Sequence, residues 1–387
     1  MVDLVQDFTS FWEQSQAEVI AWRRHLHEHP ELSFQEVNTS NYEYHLLCSL
    51  PQLEVSRPTA TSVMARLVGA HKGSTLAIRA DMDALPIQED TSLPFASKNP
   101  DVMHACGHDM HTAILLGVVK YLVTKKEAIY GEIRFIFQHA EEYIGGAKEI
   151  VAVGALDGVD KIIGLHVAAM YPVGLLGVRE GVNTAASDSF DLTIHGKGGH
   201  GSAPQTSVDS IAIAAQVVTN LQHIVSRDVD PMDSVVISVT KFQSGTAYNV
   251  IPEQAKLAGT IRTFNPTLRD QVPSLMERIA KGIVEAHGAA YDFTYHKGYD
   301  PVVNDPLITR QVRTALVEHF GEKAVQTPPP QMGSEDFSGY LTKVPGFFLW
   351  VGAGGQYPHH HPRFEVDEKA IFIGIKAFIV MTQALLP

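Results

Sequence analysis

Short apolar segments of this chain repeatedly end on, or lead into, side chains that bind metals or transfer protons. The apolar segments are 75–79, 131–137, 161–167 and 346–351. The polar side chains are Asp81, Asp83, Cys106, His108, Glu141, Glu142, His166 and the histidines at 359–361. In open α/β sheets, ligands bind outside the carboxyl ends of the strands. The recurrence therefore predicts an α/β domain with a central sheet and a metal site at one edge of that sheet.

The stretch 103–111 (MHACGHDMH) concentrates these donors. Cys106 and His108 are separated only by Gly107, a spacing that lets a thiolate and an imidazole reach one ion from a tight turn. Thiolate, imidazole and carboxylate donors together suit a transition metal such as Zn, Mn, Co or Ni. A histidine-rich surface loop with a buried structural cysteine is the alternative, and the position beside the strand ends favours the metal site.

The paired acids suit complementary tasks at such a site. One glutamate can bind metal while the other takes a proton from water and returns it to a leaving amine. Neighbouring side chains on a regular strand point to opposite faces, so the backbone at Glu141 and Glu142 is expected to be irregular. Asp81 and Asp83 share a face, where one acid can orient a ligand imidazole or bridge two metals. The alternatives are a solvated pair for the glutamates and turn or helix capping for the aspartates.

A different pattern occupies the middle of the chain. Strands are expected at 187–197, 233–243, 254–264 and 290–297, with helices near 208–225 and 270–287. The order β-α-β-β-α-β is that of the ferredoxin-like split motif and is complete in itself. The sequence therefore predicts a second domain at 187–298, inserted into a catalytic domain formed by 1–186 and 299–387. Pro273 is expected to delay the start of the second helix or to kink it.

Composition limits the partners and the location that we expect. The net charge is −13, from 30 Lys and Arg against 43 Asp and Glu, which disfavours nucleic acid as a partner. No apolar run approaches the roughly 18 residues of a membrane span, and the first residues do not resemble a signal peptide. Because the cysteines are only Cys48 and Cys106, we expect no disulfide-built scaffold and a reducing, cytoplasmic location.

Ordered motifs along nearly the whole chain resemble the aminoacylase and carboxypeptidase family of dinuclear metallo-amidohydrolases, peptidase family M20. The resemblance is strongest to its bacterial N-acyl-amino-acid, hippurate and auxin-conjugate hydrolases. The motifs are RHLHEHPE (24–31), RADMDALP (79–86), MHACGHDMH (103–111), QHAEE (138–142), GLHV (164–167), GKGGHGSAP (196–204), NVIP (249–252), GTIRTF (259–264), SEDF (334–337) and HHPRF (360–364).

The resemblance implies a metallopeptidase-like catalytic domain that holds two divalent metal ions, and an inserted ferredoxin-like domain that serves as lid and dimerisation domain. The implied metal ligands are Cys106, His108, Glu142, His166 and His360. The implied catalytic residues are Glu141 as base, Asp83 as the acid that orients a ligand, and His200 as an oxyanion donor. In the family, the last ligand lies two positions before the proline of an H-x-P-x-F pattern, which here indicates His360. His359 and His361 remain open as alternatives, because the three histidines are consecutive.

Two further residues are candidates for substrate binding, and two positions depart from the family pattern. Arg262 can hold a substrate carboxylate bidentately, with an ordinary surface ion pair as the alternative, and Asn249 is a similar candidate. His139 stands where relatives usually carry proline, and it can hydrogen-bond to Glu141 or attract an ion. Gln205 stands where relatives tend to carry histidine, which weakens any substrate contact transferred to that position.

The function that we expect is metal-dependent hydrolysis of the amide bond of a small N-acyl-L-amino acid, with a metal-bound water activated by Glu141. A homodimer or homotetramer is expected, with no membrane partner. A dipeptidase or aminopeptidase of the same family is the alternative within this class of enzyme. A non-catalytic metal-binding module is the alternative outside it, and the unligated Glu141 argues against that module because a binder needs no base.

Overall fold

A computed structural model describes residues 3–143 and 145–386, and the chain divides into two compact units with separate hydrophobic cores. The first unit takes its described residues from Met1–Asn183, Val303–Pro329 and Asp336–Pro387. The second comprises Thr184–Val302 and Pro330–Glu335. It therefore extends a few residues beyond the predicted 187–298 at both ends. It also gains a short return segment, whose carbonyls at Gln331 and Gly333 accept the amide hydrogen of Ala185.

Helices and strands are distributed along the whole of the described chain. The helices are α1 (Phe8–Glu28), α2 (Val37–Ser49), α3 (His108–Val123), α4 (Gly146–Ala152), α5 (Ser210–His223), α6 (Pro266–Ala286), α7 (Pro306–Phe320), α8 (Ser338–Leu341) and α9 (Lys369–Leu385). The strands are β1 (Glu54–Ser56), β2 (Val63–Val68), β3 (His71–Asp81), β4 (Tyr130–Gln138), β5 (Lys161–Ala168), β6 (Leu176–Gly177), β7 (Gly181–Val182), β8 (Ala186–His195), β9 (Gly199–His200), β10 (Val235–Ser244), β11 (Val250–Ile251), β12 (Gln254–Thr263), β13 (Ala290–Tyr299), β14 (Val303–Asn304), β15 (Val325–Gln326) and β16 (Gly346–Gly352).

The first unit is built on a mixed sheet with the strand order β1-β2-β4-β3-β5-β16-β6-β15. The four central strands, β4, β3, β5 and β16, are parallel to one another. Their apolar residues are almost entirely buried, as expected for parallel strands covered by helices on both faces. Because parallel strands end at the same edge, the residues that follow β3, β4, β5 and β16 are brought together there. The predicted α/β class is confirmed.

Helix α3 is apolar on nearly every side and lies buried against α1, α9 and β3. It begins at His108, directly after Gly107, whose φ of 92° lies in the left-handed region. A β carbon at Gly107 would come within 2.5 Å of Cγ2 of Val167. Only glycine therefore permits the turn that places Cys106 and His108 next to each other at the start of this helix.

The second unit has the predicted β-α-β-β-α-β order, formed by β8, α5, β10, β12, α6 and β13. Its four strands pair antiparallel in the order β10-β12-β8-β13. Helix α6 begins at Pro266, with Asn265 as its cap, and continues through Pro273, so the expected late start is wrong. Buried Asp188 on β8 ties the sheet to α6 by accepting hydrogen bonds from Nε (2.9 Å) and Nη2 (2.6 Å) of Arg269.

Within the described residues, none of the helices combines the length and the apolar character that crossing a membrane requires.

Glu43 on α2 is an unusual member of the first unit's core. It is fully buried, and neither of its carboxylate oxygens has a hydrogen-bond partner among the described residues. Burial, with a contribution from nearby Glu36, raises the pKa of Glu43 well above its ordinary value. Above the ordinary pKa of a glutamate, the unfolded chain ionises at this position before the folded chain does. Increasing pH therefore costs folding stability, until the folded-state pKa is passed.

We expect Glu43→Gln to raise Tm at neutral pH and to leave it nearly unchanged below about pH 4, under the ordinary pKa of glutamate. A gain of about 1 kcal/mol corresponds to roughly 2–4 °C for a domain of 150–250 residues. Thermal unfolding across this pH range measures the difference, with Glu13→Gln as the exposed control. A shift of equal size at every pH would show that the carboxyl's ionisation is not its cause.

Candidate metal centre and active site

The predicted ligands of the first unit converge at the carboxyl edge of its central strands. Their donor atoms form three overlapping groups, within each of which all donor atoms lie within 4.8 Å of one another. The groups are Cys106 with His108 and His166, Cys106 with Glu142 and His360, and His108 with Glu141 and Glu142. Cys106 Sγ lies 3.4 Å from Nε2 of His166. The site therefore joins the start of α3, the loop after β4, strand β5 and the loop after β16.

The backbone turns sharply where β4 gives way to the paired glutamates. Ala140 has a φ of 51°, in the left-handed region that side chains other than glycine rarely adopt. The amides of Glu141 and Glu142 then donate to Oδ1 (3.1 Å) and Oδ2 (3.0 Å) of Asp83, respectively. The irregular backbone predicted at this pair is confirmed, and it lets both side chains face the same site.

The carboxylate of Asp83 also contacts a predicted ligand. Its Oδ1 lies 3.2 Å from Nδ1 of His108, and its Oδ2 accepts the hydroxyl hydrogen of Ser33 at 2.6 Å. Burial alone would raise the pKa of Asp83, but the hydrogen bond with His108 and further contacts lower it below its ordinary value. When Nδ1 of His108 donates to this carboxylate, Nε2 of the same ring is left to face the donor cluster.

Two buried donor atoms show that the site fits a metal ion. Nε2 of His108 and Oε1 of Glu142 make no hydrogen bond of suitable geometry among the described residues, although Nε2 of His360 lies 3.3 Å from Oε1 of Glu142. Buried polar atoms are almost always satisfied, so such atoms side by side call for a further partner. The donor set of thiol, imidazole and carboxylate suits a transition metal. The residues present therefore fit the metal site that the sequence predicts.

The charges in the site lead to the same conclusion. Burial lowers the pKa of His108, but the nearby carboxylates of Asp81, Asp83 and Glu142 outweigh it and raise the pKa to about 10. Burial, together with carboxylates that include Glu142, raises the pKa of the Cys106 thiol well above its ordinary range. A cluster that holds a proton on its imidazole and on its thiol has an excess of negative charge, which a bound cation would compensate.

Among the three C-terminal histidines, His360 is the one whose side chain joins a donor group. Its Nε2 lies 3.3 Å from Oε1 of Glu142, and its own backbone has a φ of 63°. His359 uses Nε2 to accept the amide hydrogen of Ala169 at 3.3 Å. His361 accepts the amide hydrogen of Arg363 at Nδ1. The geometry supports the register that the H-x-P-x-F pattern implies.

His111 and Asp109, two other polar residues of the stretch 103–111, have structural contacts, whereas both ring nitrogens of buried His104 lack a hydrogen-bond partner among the described residues. His111 is occupied at both ring nitrogens, by Oδ1 of Asp81 (2.5 Å) and by the amide of Val167 (2.9 Å). Asp109 accepts Nε of Arg23 at 2.7 Å and pairs with buried His27. These contacts support the start of α3, and His111 also forms, with Asp81 and His108, a further group whose donor atoms lie within 4.8 Å of one another.

His139 stands where relatives usually carry proline. It does not form the hydrogen bond to Glu141 that the sequence analysis considered. Its Nε2 lies 3.0 Å from Glu149 on α4, and its Nδ1 lies 3.4 Å from the hydroxyl of Thr59. The side chain of His139 is buried, whereas the side chain of Glu149 is half-exposed. His139 therefore braces the loop that carries the two glutamates, from the side facing α4.

A buried polar network behind the site was not assigned a role from sequence. Arg79 donates to Gln138 (2.7 Å), to Asp81 (2.7 Å) and to Asp336 (2.9 Å). The amide of Asp336 in turn lies 3.3 Å from Oε1 of Glu141 and donates to it. Burial raises the pKa of Asp336 to about 6, against the opposing effect of Arg79. The residues of this network belong to the motifs RADMDALP, QHAEE and SEDF, which are recognisable in the sequence. The contacts between the motifs are visible only in the fold.

The second unit carries the other predicted residues, of which His200 is an exposed residue on β9. Its Nδ1 accepts the amide hydrogen of Ser202 at 3.1 Å and lies 2.8 Å from the hydroxyl of the same residue. An imidazole that accepts at Nδ1 carries its proton on Nε2 when neutral. His200 is thus set up as a hydrogen-bond donor. Asn249 is exposed nearby, and its carbonyl accepts the amide hydrogen of Gly201 at 2.8 Å.

Arg262 on β12 is half-buried and donates to the hydroxyl of Thr260 and to the carbonyl of Ile261. Burial lowers its pKa below the ordinary value of arginine. Within the part of the chain that the structure describes, no carboxylate forms an ion pair with it, and Asp188, whose charge acts on its pKa, is paired with Arg269. The surface ion pair that was the alternative for Arg262 is therefore not found, and its guanidinium remains suited to an outside anion.

We expect His360→Ala to reduce the metal that the protein retains during dialysis against a competing chelator, by at least about tenfold in apparent affinity. His361→Ala is the matched control and should retain the wild-type metal content, because its imidazole is engaged with its own loop. Elemental analysis of the dialysed proteins measures both. Equal losses from the two variants would move the ligand assignment by one residue.

Comparisons with known proteins agree with the motifs. Residues 77–383 match peptidase family M20/M25/M40. An N-acyl-L-amino acid amidohydrolase of Geobacillus stearothermophilus is 58% identical over 76% of this chain and 79% of its own length. An N-acetylcysteine deacetylase of Bacillus subtilis is 43% identical over 93% of this chain and 94% of its own. The crystal structure of a Bacillus subtilis protein described as a dinuclear metal-binding peptidase of the M20 family has a TM-score of 0.86 at 39% identity, and covers 97% of this chain and 99% of that one. The chain therefore belongs to peptidase family M20/M25/M40.

Proposed function

We propose that this protein is an amidohydrolase that cleaves the amide bond of small N-acyl-L-amino acids into a carboxylic acid and an amino acid. The observation that carries the proposal is the pair Glu141 and Glu142, held on one carboxylate beside a donor cluster that fits metal ions. Relatives with 43–58% identity are named for the same reaction. A binding module would have no use for an additional buried glutamate beside its ligands.

The proposed ligands divide into two sets that share a thiol. Cys106 with His108 and His166 would form one set, and Cys106 with Glu142 and His360 the other. The neighbour described as a dinuclear metal-binding peptidase supports two ions, and Zn, Mn, Co or Ni suits these donors. When bound, such ions supply Lewis acidity, which lowers the pKa of water from about 15.7 to near 7 and polarises a carbonyl group.

Glu141 is the proposed general base. It is buried, and the amide of Asp336 lies 3.3 Å from its Oε1 and donates to it, which helps to orient the carboxylate. In this position Glu141 takes a proton from the attacking water and delivers it to the nitrogen of the leaving amine. Asp83 keeps the base in place through the backbone amide of Glu141, and orients His108 at the same time.

The inserted domain is proposed to complete substrate binding and to serve as lid and dimerisation domain. His200, with its proton on Nε2, would donate a hydrogen bond to the oxyanion that develops on the substrate carbonyl. Arg262 and Asn249 would hold the free α-carboxylate of the substrate, since no carboxylate of the described residues forms an ion pair with Arg262. The same proposal includes a homodimer or homotetramer in the cytoplasm.

A substrate panel tests the function directly. The protein is loaded separately with Mn, Zn, Co or Ni and assayed against N-acetyl-L-amino acids, N-benzoyl-L-amino acids and dipeptides. We expect N-acyl amino acids to be cleaved with a higher kcat/KM than dipeptides, because the site has to accept an uncharged acyl group in place of a free amine. Preferential cleavage of dipeptides would instead identify a peptidase of the same family.

We expect Glu141→Gln to keep the wild-type metal content and to lower kcat by a factor of about 10²–10⁴, because the amide removes the base and spares the ligands. Glu142→Gln is the contrasting variant and should lose metal. Elemental analysis and steady-state kinetics on the same preparations separate the two effects. An active Glu141→Gln enzyme would refute the assignment of the base.

We expect His200→Ala to lower kcat by about 10²–10³, because an oxyanion donor acts mainly in the transition state. Arg262→Ala should act mainly through KM, and should weaken discrimination against substrates whose α-carboxylate is amidated. Arg278→Ala, an exposed arginine on α6 of the same unit, is the control for a lost positive charge. If the ratio of kcat/KM for substrates with a free and an amidated α-carboxylate is the same in Arg262→Ala as in the wild type, the guanidinium does not bind the carboxylate.

A further inference from the structure

Phe34 is a strained aromatic residue in the loop between α1 and α2. Its φ of 64° lies in the left-handed region, which is unfavourable for a bulky side chain, and 40% of the residue is exposed. Strained residues persist only where their surroundings hold them, and they cluster at active sites and at places that clamp ligands. An exposed phenylalanine that is held in such a conformation therefore indicates a role for its ring.

The contacts that hold Phe34 are the contacts that hold the active site. Buried Glu36 accepts at one oxygen the amide hydrogens of both Phe34 (2.9 Å) and Ala140 (2.8 Å). Ser33, directly before Phe34, donates its hydroxyl hydrogen to Asp83 at 2.6 Å. The loop is thus tied to the backbone before the catalytic base and to the carboxylate that orients the ligands. The backbone at Phe34 is therefore held close to the residues of the reacting centre.

The ring of Phe34 is part of an aromatic cluster beside the two glutamates. It makes edge-to-face contacts with His139, at 5.4 Å between centroids, and with Tyr143, at 6.4 Å. A β carbon at Gly145 would lie 3.3 Å from its Cζ, so the ring covers this glycine. Tyr143 directly follows Glu142 and is 69% exposed. His139 is buried and supports the cluster from behind.

We propose that Phe34 and Tyr143, supported by His139, form an apolar wall that receives the acyl group of the substrate. The inference rests on the proposed function and makes it more specific, because it predicts a preference for bulky or aromatic acyl groups over acetyl. In the substrate, the acyl chain is bonded directly to the carbonyl carbon that the water attacks. In the protein, Tyr143 of the wall directly follows the proposed ligand Glu142. The wall carries no charge, whereas the other half of the substrate carries a carboxylate.

The test compares kcat/KM for N-benzoyl-L-methionine and N-acetyl-L-methionine in the wild type and in Phe34→Ala, Phe34→Gly and Tyr143→Ala. We expect the benzoyl-to-acetyl ratio to fall about tenfold in each Phe34 variant, because an aromatic contact with the acyl group is lost. Phe34→Gly removes the ring and also relieves the positive φ, so it remains informative if Phe34→Ala is unstable. Val153→Ala, an exposed apolar residue at the end of α4, is the control and should keep the wild-type ratio.

Metal content is measured in every variant, so that a loss of ligands is not read as a change of preference. An unchanged ratio in active Phe34→Gly enzyme would overturn this inference and leave the proposed function standing. So would a change that follows the amino acid, seen as an altered ratio of N-acetyl-L-phenylalanine to N-acetyl-L-alanine, since the wall would then face the other half of the substrate. A metal-loaded wild type that cleaves no N-acyl amino acid would overturn both.

Discussion

The buried carboxylate of Asp83 is the interaction on which the arrangement of the site depends. Its oxygens accept hydrogen bonds from the amides of Glu141 and Glu142 and from the hydroxyl of Ser33, and Oδ1 lies beside Nδ1 of His108. A single anion thus fixes the proposed base, two proposed ligands and the loop before α2. Replacing it with an uncharged side chain would release several chain segments together, since each of them donates to the same two atoms.

The parallel strands bring these segments to one edge, but irregular backbone converts that edge into a site. Gly107, Ala140 and His360 have φ angles of 92°, 51° and 63°, and they lie in three different loops. Each turn directs a donor towards the same place: the start of α3, the paired glutamates, and the imidazole of the C-terminal loop. Such conformations cost free energy and are retained where the surroundings over-determine them. The hydrogen bonds of Glu36 and Asp83 provide that support on the side of Ala140.

The fold class and the order of helices and strands could be predicted from the sequence, because apolar periodicity and polar residues at strand ends are local features. The central strands, the inserted split motif, the five proposed ligands and the proposed base all follow from such patterns or from ordered motifs. Supporting contacts were not accessible in this way. The amide of Ala140 meets Glu36 across 104 positions of sequence, and the side chain of Arg79 meets Asp336 across 257. Asp336 belongs to the motif SEDF, but neither contact can be read from the sequence, because only the fold brings the partners together.

The sequence alone also does not decide which of the three C-terminal histidines faces the proposed metal site. Chemically identical side chains in consecutive positions differ only in where the backbone directs them, and a positive φ at His360 turns its imidazole towards Glu142. A regular strand would have sent neighbouring rings to opposite sides. The family pattern implies His360, and the contacts of its neighbours are consistent with that proposal: His359 accepts the amide hydrogen of Ala169 after β5, and His361 accepts that of Arg363 in its own loop.

The charge balance of the site separates catalysis from substrate selection. Arg79 compensates Asp81 and Asp336, whereas Asp83 and Glu142 lie beside a thiol and an imidazole. Burial and surrounding carboxylates raise the pKa of the thiol, and the carboxylates raise the pKa of the imidazole against the effect of burial. That excess of negative charge ties metal binding to the stability of this edge of the sheet, because a cation favours the folded arrangement of ligands over the unfolded one. Phe34 and Tyr143 stand outside this balance, since neither carries a charge. Their rings can therefore change in size without disturbing the electrostatics that hold the ions and the base, and the preference for an acyl group can vary while the chemistry stays the same.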